Sequence, residues 1–286
     1  MLVFLLIHLI PGDPVEVMLG ETASFADRAS LRHELHLDKP ILVQFGIYLG
    51  QLSQLDLGES LYSGQAITTL IAAKLSATIE LALAALVVAL LMAVPLGTLA
   101  AMYQNRWPDF TSSGVSLLGI SIPNFVAGPL LILIFAIWLG WLPVSGRDGV
   151  ASIVLPAITL GTAMAAILAR MLRSTLIEIL SRPYVISARA RGLSPTTIMF
   201  KHVYRNALLP ILTLLGLQLG GLLAGAVITE TIFSWPGIGQ LTIDAIQKRD
   251  YPLVQGCVLM ISFIYVLVNL VTDSLYAVID PRIRTA

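Results

Sequence analysis

The phosphate-cradling loop of P-loop nucleotide hydrolases ends in Gly-Lys, and none of the four lysines (Lys39, Lys74, Lys201, Lys248) follows a glycine. The GxxxxGK[ST] cradle is therefore missing, and the chain is expected not to hydrolyse nucleotides itself. His33 and His36 flank Glu34 in the string HELH, which lacks the HExxH spacing of zinc proteases and reads as a solvated face. Cys257 is the sole cysteine, so neither an internal disulfide, a cysteine zinc site nor a CxxC redox pair can form. No nucleophilic triad stands out. No catalytic residue, metal ligand or bound cofactor is expected. The polar or turn-forming residues that interrupt otherwise apolar stretches are Asn124, Gln218, Glu230 and the run Trp235-Pro236-Gly237. They are candidates for lining or gating a path across a membrane, with inter-helix hydrogen bonding the alternative for Asn124 and Gln218 and interfacial anchoring the alternative for Trp235.

The surroundings of these residues set that reading. Of 286 residues, 57% are hydrophobic and 12% charged, against about 25% charged in soluble domains. Lys plus Arg and Asp plus Glu number 17 each, so there is no basic excess to neutralise a nucleic acid backbone. Five windows contain no charge: 81–105, 110–146, 149–169, 206–229 and 251–272. At about 1.5 Å of helix rise per residue, each can cross a hydrocarbon core about 30 Å thick. The opening MLVFLLIHLIPG would reach only about 18 Å. It lacks the basic start and small-residue cleavage site of a signal peptide, and residues 1–12 read as the second half of a first span that begins upstream. The fold expected is an all-α polytopic membrane helix bundle with six spans, the first one partial here.

Charge sets the orientation. Residues 13–59 carry eight acids and three bases. In residues 170–205, Arg170, Arg173, Arg182, Arg189, Arg191, Lys201 and Arg205 face one acid, Glu178. Basic short loops stay in the cytoplasm, which places 170–205, the loop at Arg106 and both chain ends inside. Residues 13–75 then form an external helical cap, and 76–286 a core of five spans. Pro95, Pro123, Pro129 and Pro156 would bend the spans or free backbone groups, either as packing kinks or along a transport path. Gly216 with Gly220, and Gly221 with Gly225, have the GxxxG spacing of an assembly surface.

The most motif-like stretch, residues 183–205, is cytoplasmic. Small residues Ser187, Ala188 and Ala190 allow close approach to another protein, Gly192 permits a sharp turn, and Ser194-Pro195 opens the next helix. Two short helices meeting at Gly192 make a knob suited to docking. The stretch resembles the EAA loop of ABC importer permeases, in which Glu-Ala-Ala is followed after three residues by Gly and after nine more by Ile-x-Leu-Pro. Ile186, Ser187 and Ala188 stand at the Glu-Ala-Ala positions, Gly192 at the glycine, and His202, Val203, Tyr204 and Arg205 at the last four. The glutamate and final proline are missing, as in the peptide and nickel branch. Further blocks in order are similar to that branch: Ile10-Pro11-Gly12-Asp13-Pro14, Leu37-Asp38-Lys39-Pro40, Ser121-Ile122-Pro123-Asn124-Phe125, Glu230 to Gly239, Asp250-Tyr251-Pro252 and Asp280-Pro281-Arg282.

The resemblance is to the permease subunits of dipeptide, oligopeptide, nickel or glutathione ABC importers, and it implies a type I importer permease in the bacterial inner membrane. It further implies a second homologous permease, two cytoplasmic ATPases that use the ATP, an external solute-binding protein and a pathway of which this chain forms half. Ser187, Ala188, Arg189, Ala190, Arg191, Gly192 and Leu193 are then the expected ATPase-coupling residues, although the positive-inside tendency alone also accounts for the arginines. An ion-gradient-driven secondary transporter is the alternative, and it would favour ionisable residues deep in the spans. The topology predicts that alkaline phosphatase fused at Gly64 is active outside the cell and that the same fusion at Gly192 is inactive. The opposite pattern would invert the orientation.

Overall fold

A computed structural model describes residues 2–5, 14–19, 24–34 and 37–279. His8, His36 and the blocks at 10–13 and 280–282 lie outside the described residues. In chain order the helices are α1 (Leu2–Leu5), α2 (Pro14–Leu19), α3 (Phe25–Glu34), α4 (Ile41–Ser53), α5 (Ile67–Met102), α6 (Trp107–Ser121), α7 (Asn124–Leu131), α8 (Val154–Leu180), α9 (Pro183–Ala190), α10 (Pro195–Thr197), α11 (Tyr204–Ile232), α12 (Ile238–Gln247) and α13 (Tyr251–Ile279). A π-helical stretch Ile132–Trp138 continues α7, a second one, Ile198–Val203, joins α10 to α11, and a 3-10 turn Val150–Ile153 leads into α8. One antiparallel bridge, Glu59 to Ala66, is the only β-pairing among the described residues.

Four helical stretches are long and apolar enough to cross a bilayer: Ile67–Met102, Val150–Leu180, Pro195–Leu222 and Tyr251–Leu275. A fifth span results if the pair Trp107–Ser121 and Asn124–Trp138, bent by 103°, is counted as one. The five uncharged windows fall on these stretches. The bend sits at Pro123, where Ile122 is extended (φ −92°, ψ 110°), because a proline ring excludes the helical region for the residue before it. The other prolines do not break their helices. α5 runs through Pro95 and α11 through Pro210, and Pro156 falls in the first turn of α8, where a missing N–H costs nothing.

The chain forms two compact units, one of residues 1–78 and 236–263, the other of residues 79–235 and 264–286. The sequence-based division placed 236–263 in the core; here that stretch joins the cap residues. In this first unit Asp250 is the organising group. Its buried carboxylate accepts from the Ser60 hydroxyl at 2.5 Å and from the Leu61 and Leu253 N–H groups at 3.3 Å. Lys248 lies over the Tyr62 ring at 4.3 Å, and Phe4 packs on Phe45 and Tyr48. His33 bonds Asp38 at 3.2 Å, and that hydrogen bond holds the Asp38 carboxyl below the usual carboxylate range. The buried Ile238 N–H donates to Thr78 Oγ1 at 2.8 Å.

The second unit is built around α8. The most apolar window of α8 is 56% buried, against 22% for α5 and α11 and 17% for α13, so the other spans turn most of their surface outward. Close approach depends on glycine. A Cβ on Gly161 would lie 2.8 Å from the Ala85 carbonyl oxygen, and one on Gly97 would lie 2.8 Å from that of Ala169. Gly119 of α6 meets Ala166 and Gly128 of α7 meets Ile232 and Phe233. The assembly surface expected at Gly216 and Gly220 requires correction: these glycines receive Thr272 and Tyr265 of α13 within the same chain, while Gly221 has open space. Gly161→Ala drives a methyl onto a backbone atom that cannot give way, at a cost of about 1–3 kcal/mol, and should lower yield and apparent Tm in detergent. Gly221→Ala should match wild type in the same thermal-shift measurement.

Candidate functional site

The stretch between α8 and α11 is a helical hairpin whose every corner has a local cause. α8 ends at Leu180, and Arg182, in extended conformation, precedes α9 with Pro183 at its first position. Gly192 (φ +78°) ends the turn in the left-handed region, where a residue without Cβ avoids strain. Its N–H reaches the Arg189 carbonyl at 2.9 Å, and the Leu193 N–H reaches that of Ala188 at 3.3 Å. Ser194 then caps α10, its hydroxyl accepting from the Thr197 N–H at 3.2 Å, with Pro195 next.

An apolar cluster seats the hairpin on the bundle. Val185 and Ala188 of α9 are fully buried and pack with Ile198, Met199 and Val203 of the return arm, with Leu172, Leu176 and Ile179 of α8, and with Ala101. The Thr98 and Tyr204 hydroxyls meet at 2.7 Å, fastening the start of α11 to α5. Glu178 pairs with Arg182. The return arm is a π-helical stretch, Ile198–Val203, that runs directly into α11. The hairpin is thus packed against α8, the start of α11 and the end of α5.

Of the residues singled out for docking, Ser187, Arg189, Ala190, Arg191, Gly192 and Leu193 are exposed. Ala188 is the exception: its methyl belongs to the buried cluster, so it holds the knob in place and does not face a partner. Tyr184, Ile186 and Phe200 of the hairpin are exposed as well, the last 70%. These side chains were not among the expected docking residues. The signal for α9 was the inward pair Val185 and Ala188 at a spacing of three, which turns Tyr184, Ile186 and Ser187 outward.

The candidate path residues are distributed over several elements. Asn124 is half-buried in the first turn of α7, just past the bend. Gln218 of α11 is half-buried, and its Nε2 is enclosed without a hydrogen-bond partner among the described residues. Glu230 and Trp235 are fully buried. The Trp235 N–H donates to the Glu230 carbonyl at 2.8 Å, and the Gly146 N–H to that of Phe233 at 3.0 Å. The Arg147 guanidinium lies over the Trp235 ring at 5.9 Å and pairs with Glu80 at 2.6 Å. Trp235 thus packs inside its unit and is not an interfacial anchor. Pro236 and Gly237, in the other unit, lead into α12, with Gly237 extended and buried at its start.

This arrangement is matched among known proteins. A model of the family described as binding-protein-dependent transport system inner membrane component matches residues 93–285. The glutathione transport system permease protein GsiC of Salmonella typhi is 42% identical over 283 residues, covering 99% of this chain and 92% of the relative. Its Escherichia coli K12 counterpart is 41% identical over the same length. Among solved structures, the inward-facing methionine ABC transporter MetNI shares the fold at a TM-score of 0.65 and 18% identity, over 74% of this chain and 97% of that one. An amino acid ABC transporter does so at 0.56 and 20%, over 75% and 94%. With these relatives the ion-gradient alternative falls away. The chain belongs to the binding-protein-dependent transport system inner membrane components, the permease subunits of ABC importers.

Proposed function

We propose that this permease forms half of an inner-membrane pathway for a small peptide-like solute and that its hairpin at 183–205 is the handle by which two cytoplasmic ATPases operate it. The observation that carries the reading is a hairpin on which Tyr184, Ile186, Leu193 and Phe200 are each exposed while Val185, Ala188, Ile198, Met199 and Val203 are buried in its own apolar cluster. Exposed apolar residues grouped on a rigid element mark a protein contact. Arg189, Arg191, Lys201 and Arg205 are exposed along the same stretch and suit an acidic rim on the ATPase.

In this reading ATP is bound and hydrolysed by the partner subunits, and the chain itself carries no nucleotide. Closure of the ATPases displaces the hairpin. α8 and α11, which enter and leave it, carry that displacement into the membrane and switch the path between inward-open and outward-open packings. A second homologous permease supplies the other half of the path, and an external binding protein delivers the solute against the acidic outer cap. The substrate class is supported by the names of the relatives, which are glutathione permeases. Asn124 and Gln218 are the polar groups proposed to face the path, Gln218 because its enclosed amide nitrogen is unsatisfied among the described residues.

The hairpin geometry gives a direct test. Gly192 has open space around its Cβ position but a φ of +78°, so Gly192→Trp both strains the turn and places an indole on the docking face. The variant should reach the membrane at wild-type levels, co-purify with less than about a tenth of the ATPase, a loss of roughly 1.4 kcal/mol or more of docking free energy, and fail to take up labelled glutathione. Full ATPase retention with wild-type uptake would refute the handle.

A further inference from the structure

The buried face of α6 inverts the usual pattern of a span. Its buried residues are Asp109, Ser112 and Ser116, while Trp107, Phe110, Leu117 and Leu118 of the same helix are exposed. Asp109 is engaged by three elements at once. Arg173 of α8 grips its carboxylate with two parallel bonds of 2.6 Å, Nε to Oδ1 and Nη2 to Oδ2. The Asn105 N–H, in the turn after α5, donates to Oδ2 at 2.9 Å, and the Ser113 hydroxyl lies 3.4 Å from Oδ1. The Asp109 side chain is 5% exposed and that of Arg173 29%. A cavity of about 430 Å³ opens beside the pair, lined among others by Ser112, Ser113, Ser116 and Arg170.

Position gives this pair its significance. Arg173 lies on α8, which continues without a break to Leu180 and from there, through two residues, to α9. It is therefore about 10 Å of rigid helix from the end that the hairpin moves. Asp109 lies in the first turn of α6, the helix that runs to the bend at Pro123. Higher up, the packing of α6 on α8 includes the close approach of Gly119 to Ala166 and Thr162, an apolar contact that resists compression better than it resists a pull. A bidentate guanidinium–carboxylate pair fixes both distance and angle, so it transmits displacement in either direction.

We propose that the Asp109–Arg173 pair is the linkage through which motion of the docking hairpin reaches the bent span, making the two side chains positioning residues for the transport cycle. The proposal rests on the importer reading above. It assigns no role to Arg170, three residues before Arg173 on α8, which is exposed, lines the same cavity and has no acidic partner among the described residues. Arg170 serves as the control.

The test uses the whole complex, expressed with its ATPases and binding protein and reconstituted in vesicles. The variants are Asp109→Asn, Arg173→Gln, the double variant Asp109→Asn/Arg173→Gln, and Arg170→Gln. Asparagine keeps an acceptor for the Asn105 N–H, so the turn stays capped. The readouts are co-purified ATPase, basal ATP hydrolysis, and hydrolysis stimulated by the binding protein. If the pair only neutralises buried charge, damage in the single variants arises from the orphaned partner, and the fully neutral double variant recovers. If the pair is the linkage, the double variant assembles and hydrolyses ATP at the basal rate, yet loses about fivefold or more of its stimulation, the range of a coupling between distant sites. Arg170→Gln should behave as wild type. Wild-type stimulation in an assembled double variant, or equal loss in Arg170→Gln, would overturn the linkage. Absence of ATPases from the wild-type preparation would instead sink the importer reading on which it rests.

Discussion

Inside a bilayer, one apolar side chain gains nothing by exchanging lipid for another apolar side chain, so helices adhere only where their backbones come close enough for dense packing. The unit of residues 79–235 depends on that constraint at α8. Gly97 and Gly161 bring α5 and α8 within backbone contact, and Gly119 does the same for α6. No methyl fits at Gly161 without moving a carbonyl oxygen. α8 is therefore the common surface on which the other helices register, and its C-terminal end is where the hairpin of residues 183–205 begins.

The proposed handle role agrees with how the hairpin is seated. Val185 and Ala188 pack on both α8 and the return arm, so the knob has no loose hinge between its docking face and the bundle. Capping at Ser194 and the left-handed turn at Gly192 fix the angle between its two arms. An isolated pair of short helices would be marginal in water; here tertiary packing supplies the stability. The exposed Tyr184, Ile186 and Phe200 then project from a hairpin whose other side is packed.

Much of this was legible in the sequence because it is local. A window free of charge over more than twenty residues has few fates other than a span, and Pro183, Gly192 and Ser194-Pro195 each dictate their own corner of the hairpin. The bend at Pro123 follows from the chemistry of one ring. What could not be read depends on partners far along the chain. Asp250 closes on Ser60 across 190 residues, drawing 236–263 into the same unit as the cap residues. Asp109 finds Arg173 across 64. GxxxG at Gly216 and Gly220 announces a close helix contact but not whose helix it is, and the answer was α13 of the same chain. Ala188 is small enough to suit a docking face or a packed one, and residue type alone does not separate the two; here its methyl is buried.

The bend at Pro123 has one further consequence. Proline has no N–H, so the Gly119 carbonyl has no donor from the residue four places on, and the extended Ile122 interrupts the ladder for its neighbours. Hydrocarbon offers no substitute donor, so inside a bilayer such oxygens must be answered by neighbouring chain or by water. A span bent in this way is tolerated only where one of these stands beside it, which sets it apart from a helix that could face lipid on every side.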